Sequence, residues 1–492
     1  MKELRKHYWK AFLALIKAYK RYYLGAWIIK LPFYKLTSNQ HKFTKWQAKR
    51  DERLKFFHNA LQHFKNVKKF FKTYYEESKK WLDSPEFKAK YLDTKHPYPP
   101  FLNPNMIDYE SIPAEIAWEM NLPLPHGYKF ICIMASFNGH TAMVLGLKKC
   151  GVCIMGDHIG DIKAHYIFNY TNLLLDKFVV INATAYNGTN NAYYRDLQKL
   201  ILMTSKTTPI LMLCRDPISR LKSSLNNSWS KASVQNYYNN STLPCSFLEN
   251  RIEYHIDINL SILNRITYSV YFNTFAYATL YEFLCKFGFS DIDMLDISSI
   301  EPNKAFDTFC KLANKYGFAP PNENNFLPRV FIQEFSGFLP LRYTINGTEF
   351  IITPIQNRDD SMCEVVLSSQ KRGIYIYTAK YNADKINNNT IRRQLIDFID
   401  KLIALVDFEN KYHKTNESIL IRLICESKNL EFMREILRQE TQFIQNLYPD
   451  IVESWKYYNE FEKICAELDK KESKMKILQD KNLIQRRQNE TR

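Results

Sequence analysis

The chain has 492 residues, 46% of them apolar or aromatic and 24% charged, with a formal net charge of +17. That length exceeds a single small core and implies two to four domains, and the apolar content excludes a largely disordered chain. Ten scattered cysteines exclude a disulfide scaffold and point to a reducing compartment. Cys150 and Cys153 make one Cys-x-x-Cys, but no second pair and no nearby His completes a metal site, so no metal is expected.

The charge is uneven. Residues 1–90 hold 23 Lys/Arg against 7 Asp/Glu, a net of +16, so the other 402 residues are almost neutral. Leu4, Tyr8, Phe12, Leu15, Tyr19 and Tyr22 recur at three- and four-residue steps with Lys between them, which predicts a basic amphipathic helical region over 1–95. Three readings fit it: a solvated face of packed helices, attachment to an anionic membrane surface, or nucleic-acid binding. The last lacks any recognition motif. The first apolar run, Ala11 to Ile16, is short and followed by Lys17, so no secretory signal is read. No run reaches the roughly 18–20 apolar residues of a spanning helix. The expectation is a cytoplasmic protein, peripheral at the inner membrane face.

Residues 96–127 are rich in proline and read as a linker or wrapping segment. An α/β core is predicted over 128–320. "YKFICIMAS" is a continuous apolar strand, "FNGH" a tight turn and "TAMVLGLKKCG" a helix. "VCIMG", "KFVVINAT" and "TTPILMLC" are further strands. Strands alternating with helices predict a mainly parallel sheet flanked by helices.

Ligands of such sheets bind beyond the carboxyl ends of the strands, and two of these ends carry groups suited to anions. After the first strand come Asn138, Gly139, His140 and Thr141. Gly139 permits close backbone approach and the next helix presents free N–H groups. The loop lacks the Gly-Lys-Ser/Thr ending of a Walker A motif. After the fourth strand comes "RDPISRLKS". Arg215 offers a planar fork for a phosphate, Asp216 and Pro217 suit a helix start, and Ser223 follows two turns later. Each piece alone is equally a plain turn or a capped helix. "MGDHIGDIKAHY" lies after the second predicted strand. His158 is the first candidate for a general base, since its ordinary pKa is about 6.5. Asp157 is its alternative or its orienting partner, and Asp161, Lys163 and His165 are further options. Asp157 and Asp161 equally suit helix caps.

Both pieces in this order resemble the sulfotransferase family, whose members use 3'-phosphoadenosine 5'-phosphosulfate (PAPS). The resemblance covers about residues 128–318. It implies a sulfotransferase-like fold in which the loop at 138–141 cradles the 5'-phosphosulfate. Arg215 and Ser223, spaced as in the family's Arg-x-Pro…Ser pattern, would bind the 3'-phosphate. "IDMLDISSIEPNKAFDTFCKLANKYGF" resembles the family's late strand, acidic turn and helix, with Asp296 near the acidic position. Phe137 stands where the family has a basic residue, and His140 or Lys163 are its possible replacements. "QKRG" at 370–373 has the letters of a late family motif but not its setting. The texture also resembles an uncharacterised bacterial family linked to surface glycans. The implied activity is sulfuryl transfer from PAPS to a hydroxyl of a glycan or lipid-linked sugar. Two alternatives stay open: a glycan-modifying transferase with another phosphorylated donor, and a non-catalytic membrane- or partner-binding protein on a nucleotide-binding fold.

The remainder divides into a β-rich segment over 321–385 and a helical region over 386–492. Asn346-Gly347 between alternating apolar residues predicts a type I′ hairpin. Ile391, Leu395, Phe398, Ile399, Leu402 and Val406 mark one helix face.

Overall fold

The computed structural model describes residues 69–70, 73–156, 161–185, 192–230, 237–239, 252–254, 256–270, 275, 277–322, 326, 335, 338–353, 361–367 and 374–490. The predicted helix over 4–22, Asp157, His158 and "QKRG" lie outside these residues. The chain forms two compact units, the smaller built from residues up to Pro125 with Tyr166–Leu174 and Leu202–Thr204, the larger from the rest.

In the smaller unit, helix α1 (Tyr75–Leu82) turns its lysines outward and buries Trp81 against Phe87 and Tyr91. The Trp81 indole donates to the Pro100 carbonyl at 3.0 Å. The proline-rich segment is packed. It contains helix α2 (Ala114–Glu119) and buries Ile116, Ala117, Trp118, Met120 and Leu122. Its prolines break the periodicity that would otherwise reveal that burial.

The larger unit is mixed α/β. Strands β1 (Ile131–Ala135), β2 (Ile181–Ala185), β3 (Ile210–Cys214) and β7 (Ile292–Asp296) form a parallel sheet in the order β2-β1-β3-β7. β1 and β3 are buried throughout, as continuous apolar runs in a covered parallel sheet must be. One face packs on α3 (His140–Lys149) and α9 (Ala305–Tyr316) through Met134, Leu213, Leu147 and Phe309. The α3–α9 approach is close because Gly146 lies under the Phe309 ring, where a Cβ would come within 2.7 Å of Cε1.

Between them in chain order come α4 (Ile162–Leu174), most of which belongs to the smaller unit, α5 (Ala192–Leu202), α6 (Pro217–Leu225), α7 (Ile262–Ser269) and α8 (Tyr277–Lys286). The predicted strand "VCIMG" is not one. Only Cys153 bridges to Val179, and the Met155 carbonyl is taken by the Asn182 side chain instead of a ladder.

A second sheet has the order β10-β11-β9-β8-β5, from Met362–Glu364, Tyr375–Ala379, Thr348–Thr353, Leu341–Ile345 and Tyr237–Asn239. β5 joins it in parallel from far upstream. Asn346 and Gly347 close the β8–β9 hairpin with φ of 47° and 73°, the left-handed pair that a type I′ turn requires. Helix α10 (Asn389–Tyr412) covers this sheet with the predicted face, Ile391 to Val406. β4 (Ser228–Ser230) and β6 (Ile252–Tyr254) form a separate antiparallel pair.

Helices α11 (Glu417–Cys425), α12 (Leu430–Leu447), α13 (Pro449–Glu453) and α14 (Lys456–Glu490) return to the parallel sheet. Leu420, Ile424, Leu437, Trp455 and Phe461 share a core with Cys214, Ile218 and Leu221. Both sheet faces are therefore covered. Among the described residues no helix is long and apolar enough to cross a membrane.

Gly146→Val is expected to destabilise the protein by about 1–3 kcal/mol, the usual cost of overpacking, read as a lower urea midpoint with an unchanged slope.

Candidate functional site

The chain leaves β1 toward β2 on one side, then crosses to β3 on the other. The β1/β3 boundary is therefore a topological switch point, where open α/β sheets form their ligand crevice. Both anion-suited segments of the sequence meet there.

The turn after β1 is tightly specified. Phe137 has φ 68° and Gly139 φ 76°, a conformation that is costly for a bulky residue and usual for glycine. A Cβ on Gly139 would also come within 2.8 Å of Ile297 Cγ1, so the close approach that this glycine permits is made by Ile297. Helix α3 then starts without a side-chain cap, and its first turn of N–H groups carries the positive end of the helix dipole.

Asn138 is fully buried and ties the turn down. Its Nδ2 donates to the Leu213 carbonyl at 3.0 Å and to the Tyr277 hydroxyl at 3.1 Å. That hydroxyl accepts from Ala135 N at 2.8 Å and donates to the Leu213 carbonyl. One phenol thus joins the ends of β1 and β3, and burial raises its pKa well above the ordinary tyrosine value. His140 is buried, with Nε2 3.0 Å from Asn182 Nδ2 on β2. It lies beneath the turn. Thr141 is exposed.

Arg215 follows β3, and its Nη1 donates to the Phe137 carbonyl at 2.8 Å, which sets the guanidinium beside the turn. Burial lowers its pKa, with Glu417 the first of the charges that oppose this. Asp216 caps α6 as the sequence predicts. Oδ1 accepts from Ile218 N and Ser219 N at 2.9 and 3.3 Å. Its Oδ2 accepts from Tyr457 N and Tyr458 N at 2.8 and 3.1 Å, so one carboxylate caps α14 as well. Burial pushes its pKa up, and these four donors hold it back. Asp296 Oδ1 accepts from Ser298 N and Oδ2 from the Trp455 indole, at 2.8 and 2.7 Å. Ser223 is on α6 with 5% exposure.

Below the crevice lies a buried ion pair that sequence reading missed. Arg220 is 2% exposed. Its Nη1 is 2.7 Å from Glu440 Oε1, its Nε donates to the Ser136 carbonyl at 3.3 Å, and its guanidinium sits between the Phe275 and Tyr277 rings at 5.3 and 5.0 Å. Glu440 Oε2 accepts from Tyr277 N and Ala278 N at 2.9 and 3.3 Å, capping α8. The one signal in the sequence was a charge inside an otherwise well-patterned helix start. Its partner is 220 residues away.

The other candidates separate. Asp161 accepts from Ala164 N at 3.1 Å and so opens α4 as a cap, while His165 is 3% exposed. Among the described residues no group of three His, Cys, Asp or Glu is placed to hold a metal ion.

Residues 294–468 match a family model described as "Protein of unknown function (DUF2972)". The match takes in Asp296, Glu417, Glu440 and Trp455, and begins beyond the β1 turn and Arg215. No curated protein matches the chain. No solved structure matches it either.

Arg220→Met should cost about 3–5 kcal/mol in denaturant titration, because it leaves a buried carboxylate without its countercharge. Burial already raises the Glu440 pKa. A raised folded-state pKa favours the fold at low pH, so the loss should shrink as pH falls through that pKa. Arg220→Met with Glu440→Leu should recover much of it.

Proposed function

We propose that this chain is a transferase that binds a phosphorylated nucleotide donor in the β1/β3 crevice and passes a group to a hydroxyl of a glycan or lipid-linked sugar. The observation that carries this is the bond from Arg215 to the Phe137 carbonyl, which brings a guanidinium beside the uncapped first turn of α3 at the switch point. Backbone N–H groups and a planar fork together suit a phosphate oxygen cluster. Transfer then requires an in-line acceptor hydroxyl and a base within reach of its proton. His158, with Asp157 to orient it, is the base we propose.

Two donor classes compete. PAPS, giving sulfuryl transfer on a sulfotransferase-like fold, draws support from the spacing of Arg215, Pro217 and Ser223. Another phosphorylated donor draws support from two features. Phe137 replaces the basic loop residue, and the His140 ring is engaged with Asn182. The missing loop base favours the second, and it is the reading we adopt. The basic segment over 1–90 fits a peripheral position on an anionic membrane, where a lipid-linked acceptor would be presented. A nucleic acid does not enter this reading.

Calorimetric titration of nucleoside 5'-diphosphates and of adenosine 3',5'-bisphosphate into the wild type and Arg215→Ala tests the donor site. Micromolar binding that weakens at least about tenfold in the variant is expected, since a charged bidentate contact contributes about 1.5–3 kcal/mol. Absence of binding to the wild type would sink the nucleotide reading. Nucleotide binding with no transfer lost in His158→Ala would remove His158 from the base role.

A further inference from the structure

Strand alternation gives the second sheet two unlike faces. Leu341, Tyr343, Phe350, Ile352 and Ile376 share the core with α10. The opposite face carries Arg342 on β8 and Glu349 on β9, paired at 2.8 Å between Nη1 and Oε1 with both side chains partly exposed. Beside this pair opens a cavity of about 270 Å³, lined by Ile351, Met362 and Ala379 from three neighbouring strands. Met362 and Ala379 stand opposite each other in register, as do Arg342 and Ile351. After β11 the chain enters a 3-10 turn, Lys380–Asn387, which supplies the rest of the wall through Tyr381 and Asn382. Tyr381 is 86% exposed. Asn382 is 5% exposed, and its amide makes no hydrogen bond among the described residues. A buried amide is ordinarily satisfied, so this one points to a partner that enters through the cavity.

The lining narrows what can bind. Its one cation is paired with its one anion, so the charges cancel and a phosphate gains nothing from the site. The volume lies at the lower edge of ligand sites, which begin near about 300 Å³, and suits one or two small rings. What the walls offer is a carboxylate that accepts, a guanidinium that donates, an amide that does both, and an aromatic face standing in water. A sugar matches each of these. Its neighbouring hydroxyls donate and accept side by side, and one face of its ring presents C–H groups to an aromatic. We infer that this cavity is a binding site for an uncharged saccharide, with Arg342, Glu349 and Asn382 taking hydroxyls and Tyr381 covering the apolar face of the ring. Binding here is independent of the nucleotide-donor reading. Its use to hold the acceptor glycan for transfer rests on that reading.

The experiment screens the full chain on an array of neutral oligosaccharides ending in hexose or N-acetylhexosamine, then measures the best of them by calorimetry. A neutral saccharide should bind the wild type with a micromolar to millimolar Kd. Tyr381→Ala should weaken it about fivefold or more, and Glu349→Ala about tenfold, the loss of a hydrogen bond to a charged group. The urea midpoint of Tyr381→Ala should stay at the wild-type value, because so exposed a side chain contributes little to the fold. Arg215→Ala should leave saccharide binding unchanged. Binding of no neutral saccharide overturns the inference, as does binding that Tyr381→Ala and Glu349→Ala both leave intact or that Arg215→Ala abolishes. Saccharide binding by a chain that takes no nucleotide would remove the donor reading and leave this site standing, and nucleotide binding without saccharide binding would remove this site alone.

Discussion

The larger unit depends on one buried ion pair, Arg220 with Glu440. Two charges removed from water are tolerated only where pairing and hydrogen bonds replace the lost hydration. Here the replacement is structural. Arg220 reaches the carbonyl that ends β1, Glu440 caps α8, and the first residue of α8 is Tyr277, whose hydroxyl joins β1 to β3. Each group satisfies another, so the crevice floor is fixed before any ligand arrives. Such networks specify one arrangement because a partial version leaves a buried charge exposed to its full desolvation cost.

On that floor the strained turn is affordable. Phe137 holds a left-handed backbone that a bulky side chain resists, and the Arg215 guanidinium grips its carbonyl. Strain kept in place by surrounding contacts clusters at binding sites. The order of causes runs from the ion pair, to the strand ends, to the turn, to the first turn of α3, which has no side-chain cap. Glu417 reaches α6 from a distant part of the chain, where its carboxylate accepts from Ser219 and pairs with Lys222.

Much of this was legible in the sequence for local reasons. The strands at 131–135 and 210–214 are continuous apolar runs, the Asp216–Pro217 helix start is a matter of adjacent residues, and Asn346-Gly347 sets its own turn. What was not legible is what closes over distance. Glu440 meets Arg220 across 220 positions and Glu417 meets Ser219 across 198, and no period links them. Gly139 reads as room for a ligand, yet Ile297 fills that room, because a glycine's freedom does not say who uses it. Cys153 and its neighbours have strand composition but only one bridge, to Val179 just before β2, since composition does not assign partners.

The shared carboxylate of Asp216 carries a consequence for how the molecule comes apart. Its two oxygens hold the first turns of α6 and α14, helices that begin 239 residues from each other. Neither start can fray without releasing an oxygen that the other then shares with water. The end of β3 and the last long helix therefore open as one cooperative segment, and local fluctuations of the carboxyl-terminal region reach the crevice through a single side chain.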